Sequence, residues 1–140
     1  MNVLIDTNVV LDILLKREPF YQSAARVSVL SEKGLITGYM SASAITDVYY
    51  IARKETKSKD TALELLRNLL KTVRVAAVTE GSVNEALDLN WNDLEDAVQY
   101  VAGKGISADY VITRNPSDFA DSEIEIIAPD AFVDMLTSEE

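Results

Sequence analysis

At 140 residues, 48% of them aliphatic or aromatic, the chain is long enough to bury a core as one domain and too short for two ordinary ones, and intrinsic disorder is excluded. Cysteine and histidine are both absent, so disulfide frameworks, thiolate nucleophiles, imidazole bases and the metal centres built on them are excluded; acid–base or metal chemistry must run on carboxylates, hydroxyls, amines or backbone. The 23 acidic residues outnumber the 13 Lys and Arg for a net charge of −10, which argues against a polybasic, non-specific binder of nucleic acid.

Short β-branched runs alternate with segments of helical period along the chain, the pattern of an α/β sheet built from crossover units. Val3-Leu4-Ile5 reads as a buried strand that stops at the polar Asp6-Thr7-Asn8. A short helix is expected from Val9 to Lys16, ended by Glu18-Pro19, because the residue before a proline is pushed out of helical geometry. Phe20, Ala24 and Val27 recur at helical spacing, with Gly34 as the stop. A second strand fits Ile36 to Met40. Ser41 or Ser43 can cap the helix that carries Ala44, Val48 and Ile51. Beyond a polar surface turn at Lys54–Lys59, Ser58 caps a helix with Ala62, Leu63, Leu66, Leu69 and Leu70 on its apolar face.

Val73, Val75, Ala76 and Val78 form the expected third strand, followed by a short helix with Val83, Ala86 and Leu87. Asp93 is the candidate cap for the helix of Leu94, Ala97, Val98 and Val101, which ends at Gly103 or Gly105. Tyr110 to Thr113 is a fourth strand broken by Arg114-Asn115-Pro116, and Ile124 to Ile127 a fifth, at the sheet edge. Pro129 opens a terminal helix that reaches Leu136. The strands are almost continuously apolar, so helices should cover the sheet on both faces. The expected architecture is a three-layer α/β/α sandwich around a mainly parallel sheet of four or five strands, a single domain over residues 1–140. No run approaches the ~18 apolar residues of a membrane helix, and the first residues carry no basic, cleavable leader. A soluble, cytoplasmic protein is expected.

In open α/β sheets, ligands bind beyond the carboxyl ends of the strands, where strand order reverses. Asp6 follows the first strand directly and Asp118 lies shortly after the fourth, so both can reach that edge. Asp47 falls within roughly 40° of Ile51 on a helical wheel, at the margin of an apolar stripe. An ionised carboxylate there needs a partner or a cation, or it swings to solvent. Asp96 sits in the first turn of its helix, where the dipole favours an acid, although a plain solvated face would also explain it. Asp93 competes with it but is accounted for as a cap. Each carboxylate alone has an ordinary structural explanation. Together they are the donor set a hard divalent cation takes, and without a cation they would repel one another.

Val3-Leu4-Ile5-Asp6-Thr7-Asn8-Val9-Val10 resembles the first motif of the PIN-domain family, the fold of many metal-dependent ribonucleases. Ser41-Ala42-Ser43-Ala44-Ile45-Thr46-Asp47 resembles the second, Asp93-Leu94-Glu95-Asp96-Ala97-Val98 the third, and Tyr110-Val111-Ile112-Thr113-Arg114-Asn115-Pro116-Ser117-Asp118-Phe119 the fourth. Each motif is loose, but their order and spacing hold from residue 2 to about 128. The resemblance implies an acidic cluster of Asp6, Asp47 and Asp96 that binds Mg²⁺ or Mn²⁺. The family most often has Glu where Asp47 stands. It commonly has an acid at the position of Asn115, and Asp118, the nearest acid, is the expected fourth member. Thr7, Asn8, Thr113 and Asn115 would orient the carboxylates.

The chemistry so implied is hydrolysis of RNA phosphodiesters by a metal-activated water, leaving a 5′-phosphate. Lys16, Arg17, Arg53, Lys54 and Arg114 are candidate RNA contacts, although each is equally well read as solvated surface. The resemblance further implies the toxin of a toxin–antitoxin pair, with an antitoxin protein as partner, and leaves room for a homodimer. The alternative is a catalytically weak or inactive PIN-like domain that binds RNA or a partner protein, favoured by Asn115 and the net charge. A haloacid-dehalogenase phosphatase would need a second Asp two residues after the first, where this chain has Asn8. A response-regulator receiver would need an acidic pair before Asp6 and a Lys after a late strand, and the chain offers neither.

Overall fold

The computed structural model describes residues 1–138. In chain order these form β1 (Asn2–Ile5), α1 (Thr7–Leu14), α2 (Tyr21–Glu32), β2 (Thr37–Ser41), α3 (Ala42–Thr56), α4 (Lys59–Leu69), β3 (Val73–Ala76), α5 (Glu80–Leu89), α6 (Leu94–Gly105), β4 (Tyr110–Ile112), a 3₁₀ turn at Pro116–Phe119, β5 (Glu125–Ile127) and α7 (Pro129–Ser138). The five strands make one sheet in the order β3-β2-β1-β4-β5, and every pairing is parallel. Strand order therefore reverses at β1, between β2 and β4, and the crevice for a ligand opens at the carboxyl ends of β1 and β4.

Successive side chains of a strand point to opposite faces, and β1 shows the consequence. Val3 and Ile5 enter one core with Val9, Val27, Val48, Leu66 and Phe132, from α1, α2, α3, α4 and α7. Leu4 enters the other with Ala86, Val101 and Phe119, from α5, α6 and the 3₁₀ turn. Helices cover both faces, as the apolar strands predict. Gly103 lets α6 lie close to the sheet, since a Cβ there would sit 3.3 Å from a methyl of Leu4. Among the described residues no helix is long and apolar enough to cross a membrane.

Local chemistry sets the boundaries, in places differently from the periodicity. Asp6 accepts a hydrogen bond from the Thr7 amide and caps α1, so the helix begins at Thr7, two residues before Val9. Ser41 rather than Ser43 caps α3, and Ser58 caps α4. Gly34 follows α2 with φ +76°, a conformation a residue with a Cβ adopts only at a cost. β3 ends at Ala76 and does not reach Val78; β4 ends at Ile112, one residue before Thr113; β5 starts at Glu125. Leu70 and Leu87, expected on apolar faces, are exposed because their helices pack through Leu66, Leu69 and Ala86.

Candidate active site

Asp6 stands at the strand-order reversal, its amide hydrogen-bonded to the Ile112 carbonyl across the β1–β4 pairing. It is 4% exposed. One carboxylate oxygen accepts from the Thr7 amide at 2.7 Å and the other from the Thr113 hydroxyl, also at 2.7 Å. Thr113 is fully buried, and its Oγ1 accepts from the Asn115 amide at 3.0 Å. The backbone after β4 is thereby tied to Asp6 through one hydroxyl. The Gln99 amide lies against the same carboxylate, while the buried Gln99 Oε1 has no hydrogen-bond partner.

Helix α6 presents three polar side chains to this edge. Asp93 caps it by accepting from the Asp96 amide at 3.0 Å, which fixes its first turn beside Asp6. Asp96 is half-buried there rather than fully solvated, within electrostatic reach of Asp6 and Asp118. Glu95 turns toward α3 and meets Asp47 carboxyl to carboxyl. Asp47 itself is exposed, so the swing to solvent decides its place at the stripe margin, and it joins the group through Glu95. Asp118, on the exposed 3₁₀ turn, acts on both Asp6 and Asp96. Asn115 is exposed and contributes its backbone to the turn, its carbonyl accepting from the Asp118 amide. A cavity of about 270 Å³ lies between Asp93 and Asp96 on one wall and Ser117, Asp118 and Asp121 on the other. Trp91, stacked on Tyr100 and edge-on to Phe119, supports its floor.

Three carboxyl groups here are pushed above their ordinary values. For Asp6 the main cause is burial, with the bonds from Thr113, Gln99 and Thr7 pulling the other way and the charge of Asp118 adding to the rise. Burial also leads for Glu95, followed by the charge of Asp47. Asp96 is pushed up to about 7, by burial first and then by Asp93, Asp6, Asp118 and Glu95. An acid with a raised folded pKa binds more protons folded than unfolded, so ionisation costs stability as pH rises from the unfolded value to the folded one. The metal-free protein is therefore expected to lose stability between about pH 4 and pH 7, with Asp96→Asn flattening the slope. Urea midpoints across that range test this, and a parent whose stability rises with pH would overturn it.

The donors around Asp6 suit a hard divalent cation in kind. All are oxygens, and the buried Thr7 Oγ1, Asn8 Oδ1 and Gln99 Oε1 lack partners. Among the described residues, however, no three carboxylates are gathered closely enough to hold a metal ion as they stand.

The candidate cations for RNA fare unevenly. Arg114, a quarter of its side chain still exposed, is paired with the fully buried Asp12, Nε to Oδ2 at 2.6 Å and Nη2 to Oδ1 at 3.3 Å. Arg17 pairs with Glu55 at 2.6 Å, and Arg53 donates to the Tyr49 hydroxyl. Lys16 and Lys54 are exposed. The sequence reading missed Glu95, Gln99 and Asp12 as participants. Asp12 and Gln99 were detectable as lone polar residues within otherwise apolar helical runs; nothing marked Glu95 apart from a surface acid.

Comparison with known proteins identifies the family and the fold. A family model described as PIN domain matches residues 2–117. Ribonuclease VapC1 of Aquifex aeolicus (strain VF5) is 28% identical over 138 residues, spanning 93% of this chain and 92% of its own length. The structure of DNA-bound VapBC from Salmonella typhimurium superposes with a TM-score of 0.71 at 14% identity, covering 92% of this chain and 98% of the other. A toxin–antitoxin complex from Klebsiella pneumoniae gives 0.68 at 20% identity, covering 91% and 97%. At such identities the solved structures establish a shared fold.

Proposed function

The chain belongs to the PIN-domain family, and from that premise we propose that it is a metal-dependent endoribonuclease acting at the Asp6 edge of the sheet, the toxin of a toxin–antitoxin pair. One observation carries the reading: Asp6, Asp96 and Asp118, from the end of β1, the start of α6 and the turn after β4, lie within one another's electrostatic reach at the strand-order reversal. Kinship with a ribonuclease supports the substrate, and the fold shared with a toxin–antitoxin complex supports an antitoxin partner.

Asp6, Asp96 and Asp118 would hold the ion, Mg²⁺ or Mn²⁺, with Asp47 reaching it through water or through Glu95. When bound, the cation lowers the pKa of a coordinated water and offsets the phosphate charge that a chain of net charge −10 would otherwise repel. Thr113 and the Thr7 amide hold the Asp6 carboxylate in one orientation. Gln99 steadies the same group from α6. Asp96, its carboxyl pushed up to about 7 by burial and its acidic neighbours, would have to be ionised to serve as a ligand, and a cation there would favour that form.

The test is cleavage of single-stranded and structured RNA by the purified protein in Mn²⁺, with loss of activity in EDTA. Asp118→Asn is expected to abolish that cleavage, since the amide brings no charge to a cation. Asn115→Asp is expected to preserve or raise it by restoring an acid at the position the family commonly uses. Cleavage by Asp118→Asn at the parent's rate would remove Asp118 from the site. The exposed, uncharged Asn115 favours a second reading, a domain that binds RNA without cutting it. Activity that appears only in Asn115→Asp would establish that one.

A further inference from the structure

On the α1–α2 side of Arg114, away from the carboxylates, the structure contains a second cavity of about 420 Å³. Its walls include Pro19, Phe20, Ser23, Pro129, Asp130 and Arg114 itself. Phe20 is a large aromatic left 41% exposed. The Arg114 guanidinium carbon stands 3.9 Å from the centroid of its ring, so arginine and phenylalanine form one stacked platform. Asp12, fully buried, grips the guanidinium through Nε and Nη2, and among the described residues Nη1 donates to no protein group. An ion pair of this kind stabilises a fold no better than apolar residues of the same size would, but it fixes the plane of an arginine.

We propose that this cavity is a nucleobase subsite, which receives one unstacked base of the RNA strand lying across the Asp6 edge. The inference rests on the reading of the protein as an RNA-cutting enzyme. The position allows it: Arg114 directly follows Thr113, whose hydroxyl holds Asp6, so the cavity opens beside the carboxyl end of β4 on the α2–α7 side, with the acidic residues at the same sheet edge on the α6 side. The charge selects a base over a phosphate. Arg114 is neutralised by Asp12, and Asp130, with no ion pair among the described residues, adds negative charge to the wall, so an anion is repelled.

A neutral ring with polar edges is accommodated by the same features. Unpaired bases stack on aromatic rings and on arginine planes. Nη1 can donate to a base carbonyl or ring nitrogen, and the Asp130 oxygen not used by the Ala131 amide can accept from an exocyclic amine. A base bearing both an acceptor and an exocyclic amine, rather than uracil, is the best match.

Two measurements separate this proposal from the reading beneath it. In the first, a short uridine RNA carrying a single 2-aminopurine, walked along the strand, is bound to the metal-free protein in EDTA. One position should show quenched emission with the parent, and Phe20→Ala should bind that RNA roughly tenfold more weakly without the quench. Phe20→Leu, which keeps the apolar bulk but not the ring, should behave like Phe20→Ala. In the second, Mn²⁺ cleavage of a randomised RNA pool should show a base preference beside the cut that Phe20→Ala and Asp130→Asn erase. The quench without cleavage in the parent would leave the subsite standing and remove the nuclease. Cleavage with an identical base preference in parent and variants, or metal-free binding with no quench at any position, would overturn the subsite.

Discussion

Asp6→Asn should lower Mn²⁺-dependent RNA cleavage by at least about a hundredfold and leave the metal-free fold as stable as the parent or more so. Asparagine is as good a helix cap as aspartate, and its amide oxygen can still accept from the Thr7 amide or the Thr113 hydroxyl. What it lacks is the charge, and at a site 4% exposed that charge is costly to bury. A cation bound only by the folded state also raises the melting temperature, so Mn²⁺ should stabilise the parent and not the variant. Single-turnover cleavage and melting curves with and without Mn²⁺ measure both effects. Equal stabilisation by Mn²⁺ in parent and variant would show that Asp6 is no ligand. A large loss of metal-free stability would instead mark Asp6 as a structural group.

Arg114→Ala has the largest expected effect on stability, a loss of about 3–5 kcal/mol, because it strands the carboxylate of Asp12 in the core. That is a substantial fraction of the ~5–15 kcal/mol that holds a typical domain folded. The double variant Asp12→Leu with Arg114→Met should recover most of the loss, since apolar groups of similar size need no partner there. Urea denaturation of parent, single and double variants forms a cycle that isolates the coupling. A loss below about 1 kcal/mol in Arg114→Ala, the range of an exposed pair, would mean that water reaches Asp12.

The sequence by itself determined the elements and the edge at which the site lies. Apolar runs of the right length, helix caps at Ser41, Ser58 and Asp93, and glycine after α2 are local signals, set by hydrogen bonds within a few residues and by backbone sterics. Local signals also put Asp6 at a strand end and Asp96 in a first helical turn. The tertiary structure alone decided which side chains meet. Thr113 reaches Asp6, and Arg114 reaches Asp12, across more than a hundred residues of chain, and no periodicity carries that information. Asp47 went to solvent and Glu95, not Asp96, came to meet it, because consecutive helical residues point about 100° apart and α6 turns Glu95 toward α3 and Asp96 toward Asp6. The Phe20 platform likewise required the α1–α2 connection to fold back over the end of β4. Burial and charge at the site follow from those meetings, and composition could not supply them.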